Sequence, residues 1–361
     1  MKKILIVANN DVGLYKFRKE LIAELLKENE VYISLPYGEL VENLIQMGCH
    51  FIDTPLDRRG INPFVDIRLL VSYFKIMKKV KPDMNIMYTI KPNIYASIVS
   101  RFLKIPYNVN VTGLGSAFQN ENFLKKIIII LYKISLKKVK KVFFENEGNK
   151  NVFVDAGIVE EKKTMVLYGA GVNLTEYSFE EYPYENEPIR FLFIARVMKE
   201  KGIDEFLYAA KKIKEEISYI QFDIVGPYED NYSEVINQYM DKGIINYYGF
   251  QSDVRPFIKK CHCFVLPSYH EGMANTNLEC ASMGRPLITS NIHGCKEAVI
   301  NNVSGFLCEK EDKENLYICL KKFVNLPYED KKNMGIESRK LMKNKFDKRQ
   351  IVDKTIKGLF K

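Results

Sequence analysis

Two classes of protein are disfavoured by what the chain lacks. Its seven cysteines are an odd number scattered along the sequence and show no disulfide framework, so we expect a reducing compartment. No apolar run is long enough to cross a bilayer, and residues 1–7 lead directly into a strand pattern without a small-residue cleavage site. We therefore expect a cytoplasmic protein that is neither secreted nor threaded through a membrane.

Two kinds of binding site are also disfavoured. The three-glycine fingerprint of nicotinamide enzymes is absent, because the turn after the first strand contains only Gly13. Cys261-His262-Cys263 lies at the entrance of an apolar strand and has no second ligand pair at zinc spacing. We interpret these three residues as core packing rather than as a metal site.

What the chain does contain is enough apolar sequence for two cores. It has 361 residues, 47% of them hydrophobic, which is longer than one compact core usually requires. Short apolar runs alternate with longer amphipathic stretches, which predicts parallel sheets covered by helices on both faces. Strands are predicted at 4–8, 31–35, 51–54, 85–88, 107–111, 142–145 and 165–167, and then at 189–195, 220–225, 245–248, 263–267, 286–290 and 305–308. Between the strands of the first half, helices are predicted near 14–27, 39–47, 64–80, 93–103, 123–140 and 148–156.

The predicted domain boundary lies where this alternation stops. Residues 171–188 are acidic, rich in Tyr and contain Pro, with no periodicity, so we interpret them as a linker. A first domain at 1–170 and a second at 189–345 follow from this boundary. Residues 328–360 look helical throughout.

The most informative pattern begins at Glu271. Glu271 and Glu279 lie eight positions apart, directly after the strand at 263–267 and at the start of a predicted helix. Eight helical positions make about two and a quarter turns, so both carboxylates are predicted to face one cleft. Gly272 lets the backbone approach a ligand, and the amides of the helix start attract an anion such as a diphosphate. The alternative is a pair of glutamates that share a charged helix by chance.

Two cations lie upstream of this pattern. Arg196 and Lys201 follow the apolar strand at 189–195, so they are predicted at the carboxyl end of a strand. Open α/β sheets bind their ligands at that end. Together with the pattern at Glu271, these residues indicate a nucleotide-sugar site.

In this region the chain resembles the retaining glycosyltransferases of family four, which have the GT-B fold of two Rossmann-like domains facing each other across a cleft. The matching pieces occur in the family's order: the strand with Arg and Lys at 189–202, Gly249-Phe250 with Asp253, Pro267-Ser268, Glu271-Gly272 to Glu279, Gly284-Arg285-Pro286, Gly294-Cys295-Lys296-Glu297 and Gly305-Phe306-Leu307. The first half is similar, at 89–93 and 110–115, to bacterial transferases that build lipid-linked oligosaccharides and capsular or other surface polysaccharides.

The resemblance implies an activity and three catalytic residues. A hexose or N-acetylhexosamine would move from a UDP-sugar to a lipid-linked or polysaccharide acceptor, with retention. Arg196 and Lys201 would stabilise the charge that develops on the leaving diphosphate, and Glu271 would position the transferred sugar. The chain has no Asp-x-Asp motif of the kind that holds a divalent metal in many glycosyltransferases, so we expect neither metal nor cofactor.

The resemblance also implies binding residues in both domains. Contacts to the donor are expected from Gly13, Phe250, Gln251, Gly272, Met273, Ala274, Asn275, Thr276, Asn277, Leu278 and Glu279, with Glu279 accepting hydrogen bonds from the ribose. Contacts to the acceptor are expected from Lys91, Asn93 and Thr112. Without the resemblance, Gly13 is equally a plain loop glycine.

Two further expectations come from the resemblance. Many family members carry a histidine near the acceptor, but this chain has Thr112-Gly113 there, which makes a side-chain base doubtful; Asp11 is a distant substitute or a cap of the next helix. The final helix, at 346–361, is expected to cross back to the first domain.

The excess positive charge is confined to the first domain. Residues 1–170 contain 26 of the 54 basic and 17 of the 45 acidic residues, so the remainder is balanced. Residues 123–144 carry seven lysines and no acid. At a helical period, about one third of the circumference holds the lysines at 126, 133, 137, 140 and 141, and beside them lie Ile127, Ile128, Leu131 and Ile134. Such a helix at 123–141 can lie on an anionic bilayer, which predicts a peripheral position at the inner face of the plasma membrane. The alternative is a solvated basic face. Nucleic acid is disfavoured, because aromatics are not interleaved with the lysines.

Two other functions stay open on sequence alone. A sugar-nucleotide epimerase of the same superfold would need no acceptor. A non-catalytic module could bind a nucleotide sugar within a polysaccharide assembly complex. Turnover of the donor in the presence of an acceptor distinguishes a transferase from both.

Overall fold

The computed structural model describes residues 1–56, 62–115, 118 and 123–360, and they fall into two compact units. The first unit is Met1–Ala170 with Arg349–Lys361, and the second is Gly171–Lys348. Residues 171–188, interpreted as a linker, therefore belong to the second unit. The hydroxyl of Tyr182 donates to the His262 carbonyl at 3.0 Å, and the Ser282 hydroxyl donates to the Tyr177 carbonyl at 2.6 Å.

The first unit is built on a seven-stranded parallel sheet with the order β3-β2-β1-β4-β5-β6-β7. Its strands are β1 (Lys2–Val7), β2 (Asn29–Leu35), β3 (His50–Asp53), β4 (Met84–Tyr88), β5 (Tyr107–Val111), β6 (Val142–Phe144) and β7 (Thr164–Val166). Its helices are α1 (Asp11–Leu26), α2 (Val41–Gln46), α3 (Pro63–Val80), α4 (Ser97–Phe102), α5 (Phe123–Ser135), α6 (Glu147–Asp155) and, from the end of the chain, α13 (Lys348–Phe360).

The second unit has a six-stranded parallel sheet with the order β10-β9-β8-β11-β12-β13. Its strands are β8 (Arg190–Ile194), β9 (Gln221–Val225), β10 (Asn246–Tyr247), β11 (Cys263–Leu266), β12 (Leu287–Ser290) and β13 (Gly305–Cys308). Its helices are α7 (Ile203–Glu216), α8 (Ser233–Asp241), α9 (Arg255–Lys260), α10 (Asn275–Ser282), α11 (Lys313–Val324) and α12 (Tyr328–Leu341).

Alternation along the strands explains why helices cover both faces of the sheets. In β1, Leu5 and Val7 join a core that includes residues of α3, α4 and α5. Ile4 and Ile6 point to the opposite core, which includes residues of α1 and α13. Because successive side chains of a strand alternate between faces, a continuous apolar strand needs cover on both sides. The predicted doubly wound parallel architecture is therefore confirmed.

The predicted strands lie within two residues of the observed ones, and the differences are confined to helices. The predicted helix at 93–103 is divided into a π-helical turn at Pro92–Ala96 followed by α4. The predicted uninterrupted helix at 328–360 is wrong at Asp347, whose extended backbone pairs with Val172 between a second π-helical turn and α13. Among the described residues, no helix has the length and apolarity that crossing a membrane requires.

Candidate functional site

The second unit brings its predicted catalytic residues to the carboxyl edge of its sheet. Arg196 and Lys201 lie in the loop after β8, and Glu271 lies in the loop after β11, its hydrogen-bonded neighbour. Parallel pairing aligns the carboxyl ends of neighbouring strands, so residues 70 positions apart in sequence become adjacent.

Lys201 and Glu271 form a tight ion pair at this edge. Their side-chain Nζ and Oε1 atoms are 2.5 Å apart, and only 17% and 14% of the two side chains are exposed. The Ser268 hydroxyl donates to the same Glu271 oxygen at 2.9 Å. A partly buried charge pair of this kind fixes both groups, because either partner alone would be an uncompensated charge.

Gly202 allows the Lys201 loop to come close to the end of β11. Its φ is +76°, and a Cβ at this position would lie 2.1 Å from the Pro267 carbonyl oxygen. On the other side of the contact, the Tyr269 amide donates to the Glu200 carbonyl at 2.9 Å. Only glycine satisfies both the left-handed backbone and the close approach.

A second glycine supports the loop that carries Glu271. Gly294, after β12, has φ of +92°, and a Cβ there would lie 2.7 Å from the Glu271 carbonyl oxygen. Its own carbonyl accepts from the Ala274 amide at 2.8 Å, and its amide donates to Glu297 Oε2 at 2.7 Å. Glu297 Oε1 is 2.8 Å from Nδ1 of His293. The loops after β11 and β12 therefore hold each other in place.

Arg196 lies in the same loop as Lys201 but has a different partner. Its guanidinium is 3.1 Å from Oε1 of Glu229, which follows β9, and 40% of the Arg196 side chain is exposed. The two predicted phosphate ligands are therefore paired with carboxylates on opposite sides of β8. Arg196 pairs with the loop after β9, and Lys201 pairs with the loop after β11.

The sequence interpretation of Glu271 and Glu279 as two residues of one helix is wrong. Helix α10 begins at Asn275, so Glu271 lies in the preceding loop and only Glu279 lies on the helix. The position of Glu271 is set by Lys201 and by Gly294 instead of by the helical period. The amides of the first turn of α10, which include Asn275 and Thr276, have no acceptor within the helix.

The predicted donor segment divides into half-buried and buried side chains. Asn275, Thr276 and Glu279 are half-buried. The side chains of four others are buried: Met273, Ala274, Asn277 and Leu278. The Asn277 amide donates to the Thr289 hydroxyl at 3.1 Å, so it holds α10 against β12. These four can offer a ligand only their backbone.

Other predicted donor contacts lie at the edges of the same region. Phe250 follows β10 with two thirds of its surface exposed, and the Gln251 amide donates to the Tyr248 carbonyl at 2.8 Å. Tyr177 faces Glu279, and its pKa is raised, first by burial and then by that carboxylate. The pKa of His270, next to Glu271, is lowered, first by burial and then by the charge of Lys201.

In the first unit, the structure corrects two expectations at the start of α1. Gly13 lies in the first helical turn, and its amide donates to Asn10 Oδ1 at 2.6 Å, so this amide is already used within the protein. Asn10, and not Asp11, caps the helix. Asp11 is buried and accepts from the Leu40 amide at 2.8 Å, which places this substitute base candidate in a structural role.

The predicted acceptor residues occupy different environments. Lys91 is 2.8 Å from Oδ1 of Asp66 on α3, and the Tyr95 hydroxyl donates to the other Asp66 oxygen at 2.8 Å. Asn93 is 1% exposed and its amide donates to the Asn110 carbonyl, so its side chain braces β5 from inside the unit, which disfavours direct contact with an acceptor. Thr112 is half-buried directly after β5.

The helix of the basic segment in the first unit is shorter than predicted, and its isoleucines and leucine face different directions than predicted. Helix α5 ends at Ser135 and a 3-10 turn, Leu136–Lys138, follows it. Ile128 and Leu131, predicted beside the lysines, pack against the core, and Ile130 is exposed instead. The lysines at 126, 133, 137 and 140 are exposed as predicted.

The interpretation of Cys261-His262-Cys263 as core packing is confirmed. All three residues are buried. Nδ1 of His262 accepts from the Arg190 amide at 3.2 Å, and burial lowers the pKa of His262 to about 4. Nearby Arg285 is fully buried and donates to backbone carbonyls of Ile258, Lys259, Glu180, Glu181 and Gly284. Arg285 thus fastens residues 180–181 to the second unit.

Three residues of the site were given no role from the sequence. Ser268 and Glu297 belong to motifs that were recognised without a role. Their partners lie only three or four positions away in the same loops, Glu271 for Ser268 and His293 and Gly294 for Glu297. Glu229 follows the predicted strand at 220–225, so its position at a carboxyl edge was a usable signal. Its pairing with Arg196 could not be predicted, because the sequence does not show that β9 is the neighbour of β8 in the sheet.

Two doubly wound parallel-sheet units, one of them with paired cations at its carboxyl edge, are the architecture of the GT-B glycosyltransferases. HepE from Anabaena, solved with UDP and glucose, has a TM-score of 0.82 to this chain at 15% identity, covering 99% of both chains. At that identity the likeness shows the fold alone.

The family follows from the sequence matches. Residues 175–341 match the family model "Glycosyl transferases group 1", and residues 3–146 match "Glycosyl transferase 4-like". The two models together cover most of the chain. The chain belongs to this family and is a glycosyltransferase, as the motifs predicted.

Two curated bacterial relatives have assigned reactions. The chain is 28% identical over 322 residues to the N,N'-diacetylbacillosaminyl-diphospho-undecaprenol alpha-1,3-N-acetylgalactosaminyltransferase of Campylobacter jejuni, covering 84% of each. It is 27% identical to the UDP-Gal:alpha-D-GlcNAc-diphosphoundecaprenol alpha-1,3-galactosyltransferase of Escherichia coli, covering 70% of this chain and 69% of that one.

Proposed function

We propose that this glycosyltransferase moves a hexose or N-acetylhexosamine from a UDP-sugar to a lipid-linked saccharide during bacterial surface glycan synthesis, with retention at the anomeric carbon. The observation that carries the proposal is the Lys201–Glu271 pair beside the first turn of α10. It supplies a cation, a carboxylate and the backbone amides of a helix start at one sheet edge. These are the groups that a sugar diphosphate requires.

The ion pair suggests how the donor is received. A nucleoside diphosphate brings negative charge to Lys201, which exchanges the Glu271 carboxylate for phosphate oxygens. Glu271, still held by Ser268, is then able to accept hydrogen bonds from hydroxyls of the sugar. Arg196, released from Glu229, adds a second cation. Both cations interact more strongly as the glycosidic bond breaks, because charge accumulates on the leaving diphosphate.

The proposal includes metal-independent catalysis. Arg196 and Lys201 would provide the positive charge that a divalent ion supplies in other enzymes, and the chain has no Asp-x-Asp motif. Turnover in excess chelator tests this part. We expect the rate with chelator to match the rate with added magnesium. An absolute requirement for a divalent ion would overturn it.

For the acceptor, Lys91 is the proposed ligand of the lipid diphosphate. It lies beyond the carboxyl end of β4 and its charge is held in place by Asp66. The names of the two curated relatives, both of which act on diphospho-undecaprenol-linked sugars, support this acceptor class. Thr112, at the end of the adjacent strand β5, is the proposed contact for the acceptor saccharide.

The proposed position of the enzyme is peripheral, on the anionic inner face of the plasma membrane. Lysines 126, 133, 137 and 140 are exposed on the segment at 123–141, and each lysine near an anionic surface adds up to about 1 kcal/mol of attraction. No nucleic-acid partner is proposed.

Release of UDP from candidate UDP-sugars tests the proposal, with a diphosphate-linked saccharide as acceptor. We expect acceptor-dependent release in wild type, and a product with the anomeric configuration of the donor by NMR. Lys201→Ala should slow release by about 10²- to 10³-fold, whereas Lys199→Ala, at an exposed lysine of the same loop, should not slow it. Interconversion of the donor sugar without an acceptor would support an epimerase. Donor binding without any turnover would support a binding module.

A further inference from the structure

Helix α3 presents an apolar stripe to solvent on the side away from the sheet. Phe64, Ile67 and Val71 are 76%, 61% and 43% exposed, and their i, i+3, i+7 spacing places them on one side of the helix. Tyr73 and Met77, on the opposite side, are buried in the core. Three large apolar side chains aligned outward on one helix are unusual for a surface that only faces water.

Helix α5 presents a second stripe of the same kind. Ile127, Ile130 and Ile134 are 38%, 56% and 46% exposed at i, i+3, i+7 spacing. Tyr132, on the inner side, is buried. The exposed lysines of this segment lie alongside the isoleucines: Lys126, Lys133 and Lys137.

Helix α4 lies between the two and joins the stripes. Phe102, at its end, is 74% exposed, and its ring centroid lies 6.1 Å from that of Phe74 on α3. On its other side, the Arg101 guanidinium donates to the Ile134 carbonyl at 2.8 Å. The three helices cover the same face of the sheet, so the exposed side chains form one surface, which we call the α3–α5 face.

The charges around the α3–α5 face have one sign. Lys75 and Lys78 follow the apolar stripe along α3 and are exposed. Residues 123–144 contain no acid. The one acidic residue of α3, Asp66, points to Lys91 and Tyr95. Apolar side chains bordered by lysines complement the surface of an anionic bilayer, which offers hydrocarbon beneath negative headgroups.

We propose that the α3–α5 face is a docking surface for an anionic lipid bilayer. Its exposed apolar side chains insert into the bilayer, and the bordering lysines contact the headgroups. The inserted residues are Phe64, Ile67, Phe102, Ile127, Ile130 and Ile134. This goes beyond electrostatic attraction to the basic segment, because it assigns the anchoring to apolar side chains of three helices.

The docking surface has a consequence for the acceptor, and that consequence rests on the proposed function. Asp66, the partner of Lys91, lies between Phe64 and Ile67 on α3, so the proposed diphosphate ligand is bound to the helical turn that carries two of the inserted side chains. A polyprenyl diphosphate has its chain in the hydrocarbon and its charge at the headgroup level. Docking through the α3–α5 face brings Lys91 to that level.

Co-sedimentation with vesicles tests the docking surface. Wild type, a triple variant (Phe64→Ser, Ile67→Ser and Ile130→Ser) and the matched control Ile318→Ser are compared on phosphatidylcholine vesicles with and without phosphatidylglycerol. Ile318 is 57% exposed on α11, a helix of the second unit. We expect wild type to bind the anionic vesicles, the triple variant to bind about tenfold or more weakly, and the control to bind as wild type does.

Several outcomes would overturn the proposal. One is a triple variant that binds anionic vesicles as well as wild type does. Another is a wild type that binds no vesicles but forms a dimer, seen by sedimentation velocity, that the triple variant abolishes, because the face would then be covered by a second copy. The thermal unfolding midpoints of the three proteins are measured as a control. Equal midpoints show that a difference in vesicle binding does not come from misfolding.

Failure of the docking surface is distinguishable from failure of the proposed function. With a short-chain, water-soluble acceptor analogue, the triple variant should release UDP at the wild-type rate. With the polyprenyl acceptor in anionic vesicles, it should be about tenfold slower. Wild type inactive with both acceptors would refute the proposed function alone. A triple variant as active as wild type on the vesicle-embedded acceptor would refute the docking surface alone.

Discussion

The two units share a plan and differ in what they do with it. Both sheets are wholly parallel, and six strands of the first follow the same relative order as the six strands of the second. In the second unit, the carboxyl edge holds cations and carboxylates in pairs, and residues 171–361 carry balanced charge. In the first unit, the positive excess is concentrated and an outer helical layer exposes apolar side chains.

The comparison shows that one fold, repeated within a chain, can serve two different binding functions. The doubly wound sheet places loops at one edge in both units, and the residues in those loops decide what is bound. A diphosphate site needs fixed charges in a partly buried setting. A surface site for a lipid-linked acceptor needs apolar contact and exposed lysines. Four predictions test this contrast.

The largest expected effect is on turnover when the second unit loses a cation. Lys201→Ala should lower kcat by about 10²- to 10³-fold, because the developing diphosphate charge loses a preorganised partner. Steady-state kinetics with a UDP-sugar measure it, with Lys199→Ala as the exposed control. A Lys201→Ala enzyme with an intact unfolding transition and more than half of the wild-type kcat would contradict the assigned role.

Next in size is the backbone contact that brings the two loops of the second unit together. Gly202→Ala should destabilise the second unit by about 3 kcal/mol, because strain from the positive φ adds to the clash with Pro267. Gly243 is the matched control: it has φ of +63° and no atom within 4 Å of an added Cβ. Gly243→Ala should cost about 1 kcal/mol. Denaturant unfolding measures both, and equal losses would mean that the close approach does not matter.

The third prediction concerns pH and the interior of the second unit. The folded pKa of His262, about 4, lies below its ordinary value of 6.5, because the buried imidazole is kept neutral. The unfolded chain therefore binds a proton between pH 6.5 and 4 that the folded chain does not. Stability should fall by about 2–3 kcal/mol as pH falls through this window.

Replacement of the imidazole measures this contribution. His262→Asn should flatten the dependence of the unfolding free energy on pH between 6.5 and 4, whereas His50→Asn, on an exposed residue of β3, should keep the wild-type slope. The same slope in His262→Asn as in wild type would show that another group is responsible.

The smallest effect is expected in the first unit. Lys91→Ala should raise KM for the lipid-linked acceptor about tenfold, with the donor KM unchanged, because a partly exposed charge contact to phosphate contributes about 1–2 kcal/mol. Lys27→Ala, an exposed lysine of the same unit, serves as the control. If the KM for the donor rises instead, Lys91 contacts the donor and not the acceptor, which would contradict the assigned role.

Strands and sheet type could be predicted because they depend on local patterns. The apolar runs of β1, β8 and β11 are buried on both faces, and such runs bounded by turns have few alternatives. The start of α10 was missed because its N-cap is Ala274, whose side chain has no polar atom to cap the helix. Capping of α1 was the alternative role for Asp11, because Asn10 and Asp11 are chemically equivalent caps in sequence.

The site was predictable in its residues but not in their pairing. Arg196, Lys201 and Glu271 were identified by their positions after strands. The pairing of Arg196 with Glu229 and of Lys201 with Glu271 depends on which strands are neighbours. The second pair also depends on two glycines that bring loops into contact. The exposed stripe of α3 was not predicted either, because an apolar i, i+3, i+7 pattern normally marks the buried side of a helix.

The central claim is that the second unit neutralises the donor diphosphate with its own side chains. Calorimetric titration of UDP in the presence of excess chelator tests it most directly, with wild type, Lys201→Ala and Lys199→Ala in parallel. We predict metal-free binding by wild type and Lys199→Ala, and affinity about tenfold or more lower for Lys201→Ala. Binding by wild type only after a divalent ion is restored, or equal affinities for all three proteins, would contradict the claim.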